Sequence, residues 1–504
     1  MKVCSLYGDG FYYIPGTQTC LKIGGFLRTE VDFHAGGSFT PFFATNGLQT
    51  RANDATTTRA RGVITLDTRE QTSWGTLRSY IAGGWQYTSN DAPTLSLAGA
   101  AVASTGGGAS PANSNNSNAY LLRAFIQWGG FTFGKTASFY DFFNTSKYSH
   151  QTNFLYQDYA GVGVFTYGYT QLLGNGVAAN IALQDPTNFE HPIVDVSNTN
   201  AAGTAFVADN PFQVGATGPT NSGFTNAGFV VPDIVASLRV DQAWGGAQIA
   251  AILHDDRANA YLNPGNGIID TTAHPSDRWG YGISGGLELN LPWAKGDSFA
   301  MTSQYCVGDS ESCINNSGAR LADLFWGRKS GGKIGLAWVD DAYFANNTNT
   351  AFGGVQTGLQ LPTVWNIWAA IQHYWTPDVR TSLYGGYATY KANSSAVDAS
   401  FCAPLNAGHT LNNGGGATLT ATPGAVSASG CADWAAWAIG SRTVWNPVRN
   451  LDIGVDVLYS ALTKSAFQGA TLVFRPAQAP LERLTAGSSN IVAGIVRVQY
   501  NFYP

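Results

Sequence analysis

From Cys20 to His34 apolar and polar side chains alternate. Leu21, Ile23, Gly25, Leu27, Thr29, Val31 and Phe33 fall on one face, and Lys22, Gly24, Phe26, Arg28, Glu30, Asp32 and His34 on the other. A period of two held this long predicts a strand longer than globular domains use, and normal for a tilted strand across a bilayer. The same alternation recurs at 278–291, 450–462 and 490–502. In all, strands are predicted at 20–34, 59–70, 75–88, 118–128, 131–136, 162–170, 177–185, 232–242, 245–255, 278–291, 297–307, 364–375, 380–391, 433–445, 450–462 and 490–502. The stretch 364–375 is apolar on both faces, and 332–340 reads as a local hairpin inside a long loop.

The connections alternate in length. Short ones follow the second, fourth and every later even strand, as at Gln71–Trp74, Gly129-Gly130 and Gln171–Gly176; long ones fill 35–58, 89–117, 137–161, 186–231, 256–277, 308–363, 392–432 and 463–489. Short turns on one rim and long loops on the other predict an all-β fold, a 16-stranded antiparallel transmembrane β-barrel. Its short turns would be periplasmic and its long loops extracellular. Residues 1–19 would form an N-terminal periplasmic segment, residues 20–504 the barrel. Trp74, Trp128, Trp244, Trp293, Trp375 and Trp445 stand in or beside short turns, where an aromatic belt meets the membrane–water boundary. The loop at about 137–161 is rich in Phe, Tyr, Asn, Ser and Thr, and loops this long inside an ordered β protein are usually functional. It is expected to fold into the lumen and narrow it.

Composition agrees. Only 12% of the 504 residues are charged, Gly numbers 60, and mean hydropathy is -0.07 with no apolar run approaching the length of a transmembrane helix. That excludes a helical membrane protein and fits strands with one face to lipid and one to water. A net charge of -5 gives no reason to expect a nucleic-acid partner. Six cysteines fall in three local pairs, Cys4/Cys20, Cys306/Cys313 and Cys402/Cys431, whose simplest reading is three disulfides in an oxidising compartment. Met1-Lys2-Val3-Cys4 lacks the apolar core of a signal peptide, so the mature form is expected.

Gly134-Lys135-Thr136-Ala137-Ser138-Phe139-Tyr140-Asp141, after a strand, Gly-Gly and a short strand, resembles the trimeric general porins of Gram-negative bacteria. The opening Lys2-Val3-Cys4 to Thr17, Cys20-Leu21-Lys22-Ile23-Gly24-Gly25, and His373-Tyr374-Trp375-Thr376-Pro377 with Arg380 to Tyr387 resemble the alphaproteobacterial members in particular. The resemblance implies a homotrimer in the outer membrane, in contact with lipid and lipopolysaccharide. It implies passive diffusion of small hydrophilic solutes past a third loop bent inward. Such a channel calls for no cofactor, no metal and no catalytic group.

What a pore needs is a water-filled lumen with charges of opposite sign on facing walls. Strand parity turns Arg28, Arg61, Arg78 and Arg123 inward on the first four strands; an outward arginine at mid-bilayer would cost roughly 2–4 kcal/mol. These are the candidate basic wall, with Asp141 and Asp158 opposite and Glu30 and Asp32 among the arginines. The same parity turns Arg69, Arg239, Arg278, Arg380, Arg442 and Arg497 inward with Asp67, Asp241, Glu288, Asp452 and Asp456, which leaves ion selectivity open. A channel selective for sugars or organic acids is the competing membrane reading, and a secreted multidomain β protein the competing soluble one. Gly282-Ile283-Ser284-Gly285-Gly286 matches a nucleophile-elbow pattern but lies within an alternating strand, where no elbow can form. His254-Asp255-Asp256 is read as a solvated strand end rather than a metal site.

Overall fold

The computed structural model describes residues 4–34, 56–88, 94–95, 101–102, 117–143, 145–151, 155, 163–187, 190–196, 206–208, 226–259, 261–262, 269–270, 274–314, 323–329, 332–345, 357–413, 418–474 and 482–502. Sixteen long strands make the wall: β1 (Cys20–Phe33), β2 (Thr56–Thr72), β3 (Gly75–Thr88), β4 (Ser117–Trp128), β5 (Phe131–Thr136), β6 (Val164–Gly174), β7 (Val177–Gln184), β8 (Asp233–Gln242), β9 (Gly245–Asp256), β10 (Arg278–Asn290), β11 (Ser298–Val307), β12 (Thr363–Thr376), β13 (Val379–Lys391), β14 (Trp434–Trp445), β15 (Leu451–Lys464) and β16 (Ser489–Phe502). Each pairs antiparallel with its sequence neighbours. The ring closes where β1 pairs β16 from Gly25↔Phe502 to Phe33↔Gly494. The barrel therefore has no edge strand, the condition for sheet to stand in lipid.

Outward positions are greasy and bare. Ile23, Leu27, Val31, Ile64, Leu66, Ile249, Ile283, Val455, Val457 and Val496 are all exposed, and inward neighbours such as Glu30, Arg59, Asp456 and Arg497 are buried. The turn tryptophans are exposed at the short-turn rim, Trp74 at 75% and Trp293 at 64%. Two short turns are two-residue hairpins with positive φ at both positions: Gly129-Gly130 (57° and 90°) and Asn175-Gly176 (50° and 75°). That geometry matches the twist of the flanking strands and selects Gly and Asn. It also corrects a strand end. The strand predicted at 162–170 continues as β6 to Gly174, through the first residues of the expected turn.

The long loops differ from their polar appearance. The predicted hairpin at 332–340 is there: Lys333–Trp338 pairs antiparallel with Asp323–Lys329 within the connection after β11. It joins Glu482–Ala486, Thr471–Phe474, Thr418–Thr420, Leu411–Asn413 and Phe206–Ala208 in a second, seven-stranded sheet. Leu336, Leu411, Leu419, Leu472 and Leu484 from this sheet share one apolar cluster with Trp368, Tyr384 and Ala388 of the barrel's inner face. The loops at this end thus pack onto the barrel, and not only into solvent. Disulfides Cys306–Cys313 and Cys402–Cys431 tie them, and Cys4–Cys20 ties the N-terminal segment to the start of β1.

Candidate functional site

After β5 the chain turns inward and runs along the inner wall. Phe139 lies against Gly168 of β6, where an added Cβ would stand 2.5 Å from the ring. The Gln248 side-chain amide of β9 donates to the carbonyls of Tyr140 (3.1 Å) and Asp141 (3.0 Å). Phe142 fills the space over Gly286 of β10, its carbonyl held by Arg239 Nη1 at 2.8 Å. Phe143 and Tyr148 then pack at a tilt against Trp368 of β12, with ring centres 5.4 and 6.0 Å away. This explains why the strand at 364–375 reads apolar on both faces: its lumen face is roofed by the loop. Tyr148 donates to Glu288 at 2.7 Å, beside the Lys147–Glu288 ion pair. Arg442 of β14 donates to the carbonyls of Ser146 and Lys147. Asp456 of β15 receives the Ser149 hydroxyl (3.1 Å), the His150 amide and the Tyr384 hydroxyl. The loop is thus docked from β6 to β15.

His150 of this loop stands against the opposite part of the ring. Arg497 of β16 donates Nη1 to His150 Nδ1 (2.9 Å) and Nη2 to its carbonyl (3.0 Å). Arginine can only donate, so Nδ1 carries no proton here. Burial, with Arg497 and Arg442 close by, holds the imidazole well below its ordinary range.

The register of β16, β1, β2, β3 and β4 builds a basic wall. Arg28 stands opposite Arg61, and Glu30 stands between Arg59 and Arg497. Glu30 is buried and bridges Arg59 (3.2 Å) and Arg497 (2.9 Å). Arg28 Nε donates to Gln499 (2.7 Å), and Arg61 to Gln86. Toward the short-turn rim, Asp67 takes a two-pronged bond from Arg78 (3.0 and 3.0 Å) and another from Arg69. Arg123 Nη1 donates to the Leu122 carbonyl at 2.7 Å. Aromatic faces back these cations: Phe26 under Arg28 (4.8 Å), Tyr120 under Arg61 (5.0 Å), and Tyr80 and Phe125 by Arg78 (5.2 and 5.4 Å). At this end a cavity of about 740 Å³ is lined by Tyr7, Asp9 and Phe11 of the N-terminal segment together with Lys22, Asp67 and Arg69 of the wall.

Residues 1–495 match the profile of a family described as Porin subfamily.

The chain belongs to this porin subfamily.

The porin Omp2b of Brucella suis biovar 1 (strain 1330) is 27% identical over 248 residues, covering 49% of this chain and 54% of the relative. Omp2b of Brucella abortus (strain 2308) matches to the same extent. The chain thus spans about half the length of the curated relatives it matches. Among solved structures, the outer membrane channel DcaP of Acinetobacter baumannii superposes with a TM-score of 0.53 at 11% identity, over 97% of this chain and 99% of that one. That likeness supports the fold. Family and fold together place the chain in a Gram-negative outer membrane.

Of the residues singled out in the sequence, Arg28, Arg61, Arg78, Arg123 and Glu30 lie on the inner face of neighbouring strands. Asp141 lies on the inner loop, half-buried beside β9. Asp158 lies outside the described residues. Arg59, which bridges to Glu30, was missed, though it shares the parity of Arg61 two residues on. His150 was missed because nothing in a polar loop marks which residue will meet an arginine. The His254-Asp255-Asp256 reading needs correction: His254 and Asp256 are 2% and 0% exposed, so this strand end is not solvated.

Proposed function

We propose that this porin forms a water-filled channel for passive diffusion of small hydrophilic solutes and ions, assembled as a homotrimer with its short turns periplasmic and its long loops extracellular. The observation that carries this reading is the loop at 137–151, which crosses the inside of a closed barrel and faces a wall of arginines. Glu30 matches two of the arginines and Asp67 two more. Arg28 is held by an amide and forms no ion pair with a carboxylate among the described residues. Arg28 would therefore give the narrow part a positive wall, on which Arg61 and Arg123 also stand. The docked loop sets the opening on the other side, with Asp141 as its candidate acid. Incorporation into planar bilayers tests this: stepwise current increases, closing in groups of three, are expected, and an electrically silent protein would defeat it.

A second reading rests on the arginine–aromatic pairs along the same wall. Such a track would favour anionic organic solutes over inorganic anions of similar size. Saturable block of chloride current by an organic acid would support it, and a linear, unblocked current would refute it.

A further inference from the structure

We propose that the long-loop end of the barrel carries a binding site for a divalent cation, built on Asp233, His254 and Glu311. One donor atom from each lies within 4.8 Å of the other two. Ligands of one calcium-sized ion stand no more than roughly 4.6–5.2 Å apart, so the three donors are close enough to share an ion.

Three further observations support a bound cation. First, the groups are buried and several are unpartnered. Among the described residues, neither oxygen of Asp256, nor Glu311 Oε2, nor His254 Nε2 has a hydrogen-bond partner. Asp256 is 0% exposed and Glu311 1%. A buried polar atom left unpaired is costly, and a buried carboxylate more so. Second, the negative charge is unmatched. Asp256 and Asp309 are electrostatic neighbours of the cluster. Among the described residues no Lys or Arg forms an ion pair with any of these acids; His254 Nδ1, 2.8 Å from Asp233, is their one basic contact. An imidazole bonded through one nitrogen to a carboxylate, with no protein partner at the other, as in His254, is the common arrangement of a metal-ligating histidine.

Third, the fold holds the donors rigidly. Asp233 opens β8, while His254 and Asp256 close β9. Asp309 and Glu311 sit on the short loop after β11 that the Cys306–Cys313 disulfide closes. Asp341, from the long connection, receives the Ser310 amide and hydroxyl at 2.6 Å each and fixes that loop from behind. An ion here would pin three separate parts of the rim together. Oxygen-rich donors with one imidazole suit calcium or manganese, and zinc if His254 leads.

The test uses the full-length chain folded into detergent free of lipopolysaccharide, which itself holds divalent ions. Calcium, manganese and zinc are titrated separately by calorimetry, with thermal unfolding followed in parallel. The expected result is one ion per chain for at least one metal, a rise in melting temperature on addition, and its reversal by chelator. Glu311→Gln should weaken binding at least about tenfold, and Asp256→Asn serves as the second variant. If the cluster instead shares protons, no metal binds at millimolar concentration, chelator has no effect, and Glu311→Gln raises the melting temperature; that outcome overturns the site. Binding unchanged in both variants overturns it too.

Discussion

Two buried groups of charge sit in this barrel, and they are solved differently. At the inner wall, Glu30 is sealed from water yet flanked by Arg59 and Arg497, each within ion-pair distance. At the rim, Asp256 and Glu311 are as deeply buried, with no cationic side chain in contact among the described residues. The first group closes its own books with side chains supplied by adjacent strands, because antiparallel register sets Glu30 level with both arginines. The second gathers acids from elements far apart in sequence, and among the described residues the elements that bring them together supply one histidine and no lysine or arginine. A matched network needs nothing from solution. An unmatched one needs either protons or a metal.

The largest effect that separates the two should come from Glu30→Ala. Removing it takes the carboxylate from two buried guanidinium groups and should cost about 3–5 kcal/mol, read as a fall in the denaturant or thermal midpoint of the folded barrel. Gly286→Val comes next. A Cβ there would stand 2.4 Å from the Phe142 ring, so the loop must shift at a cost of about 1–3 kcal/mol. Single-channel conductance should rise as the loop lifts; unchanged conductance would mean that the loop does not set the opening.

A smaller effect concerns pH. The docked His150 is held neutral, its titration pushed well below the ordinary 6.5. Undocked, it would titrate near 6.5. Its contribution to docking is therefore complete above that pH and is lost progressively as pH falls below it. Current noise and brief closures should grow as pH is lowered from 7 to 5. His150→Gln should flatten that response, and a variant that keeps the full dependence would assign it to other groups.

The barrel was legible because a two-residue period over a dozen positions leaves a strand no choice of face, and because the short turns carry Gly-Gly and tryptophan signals. Arg28, Arg61, Arg78 and Arg123 followed from that parity alone. The docking of the loop was not legible. Phe142 over Gly286, Tyr148 on Trp368 and His150 at Arg497 join residues brought together by curvature around the ring, and no local period encodes such pairs. The double-faced apolar strand at 364–375 was the one sequence trace of that roof. The rim acids were misread for a related reason: Asp256 looks solvated until the disulfide loop carrying Glu311 and the connection carrying Asp341 fold over it.

The most direct test of a positively walled channel is the zero-current potential across a bilayer in a tenfold KCl gradient, wild type against Arg28→Glu/Arg123→Glu. Stepwise channels with chloride favoured in the wild type, and a shift toward potassium in the double variant, are predicted. Identical reversal potentials in the two proteins, or no channels from either, would contradict it.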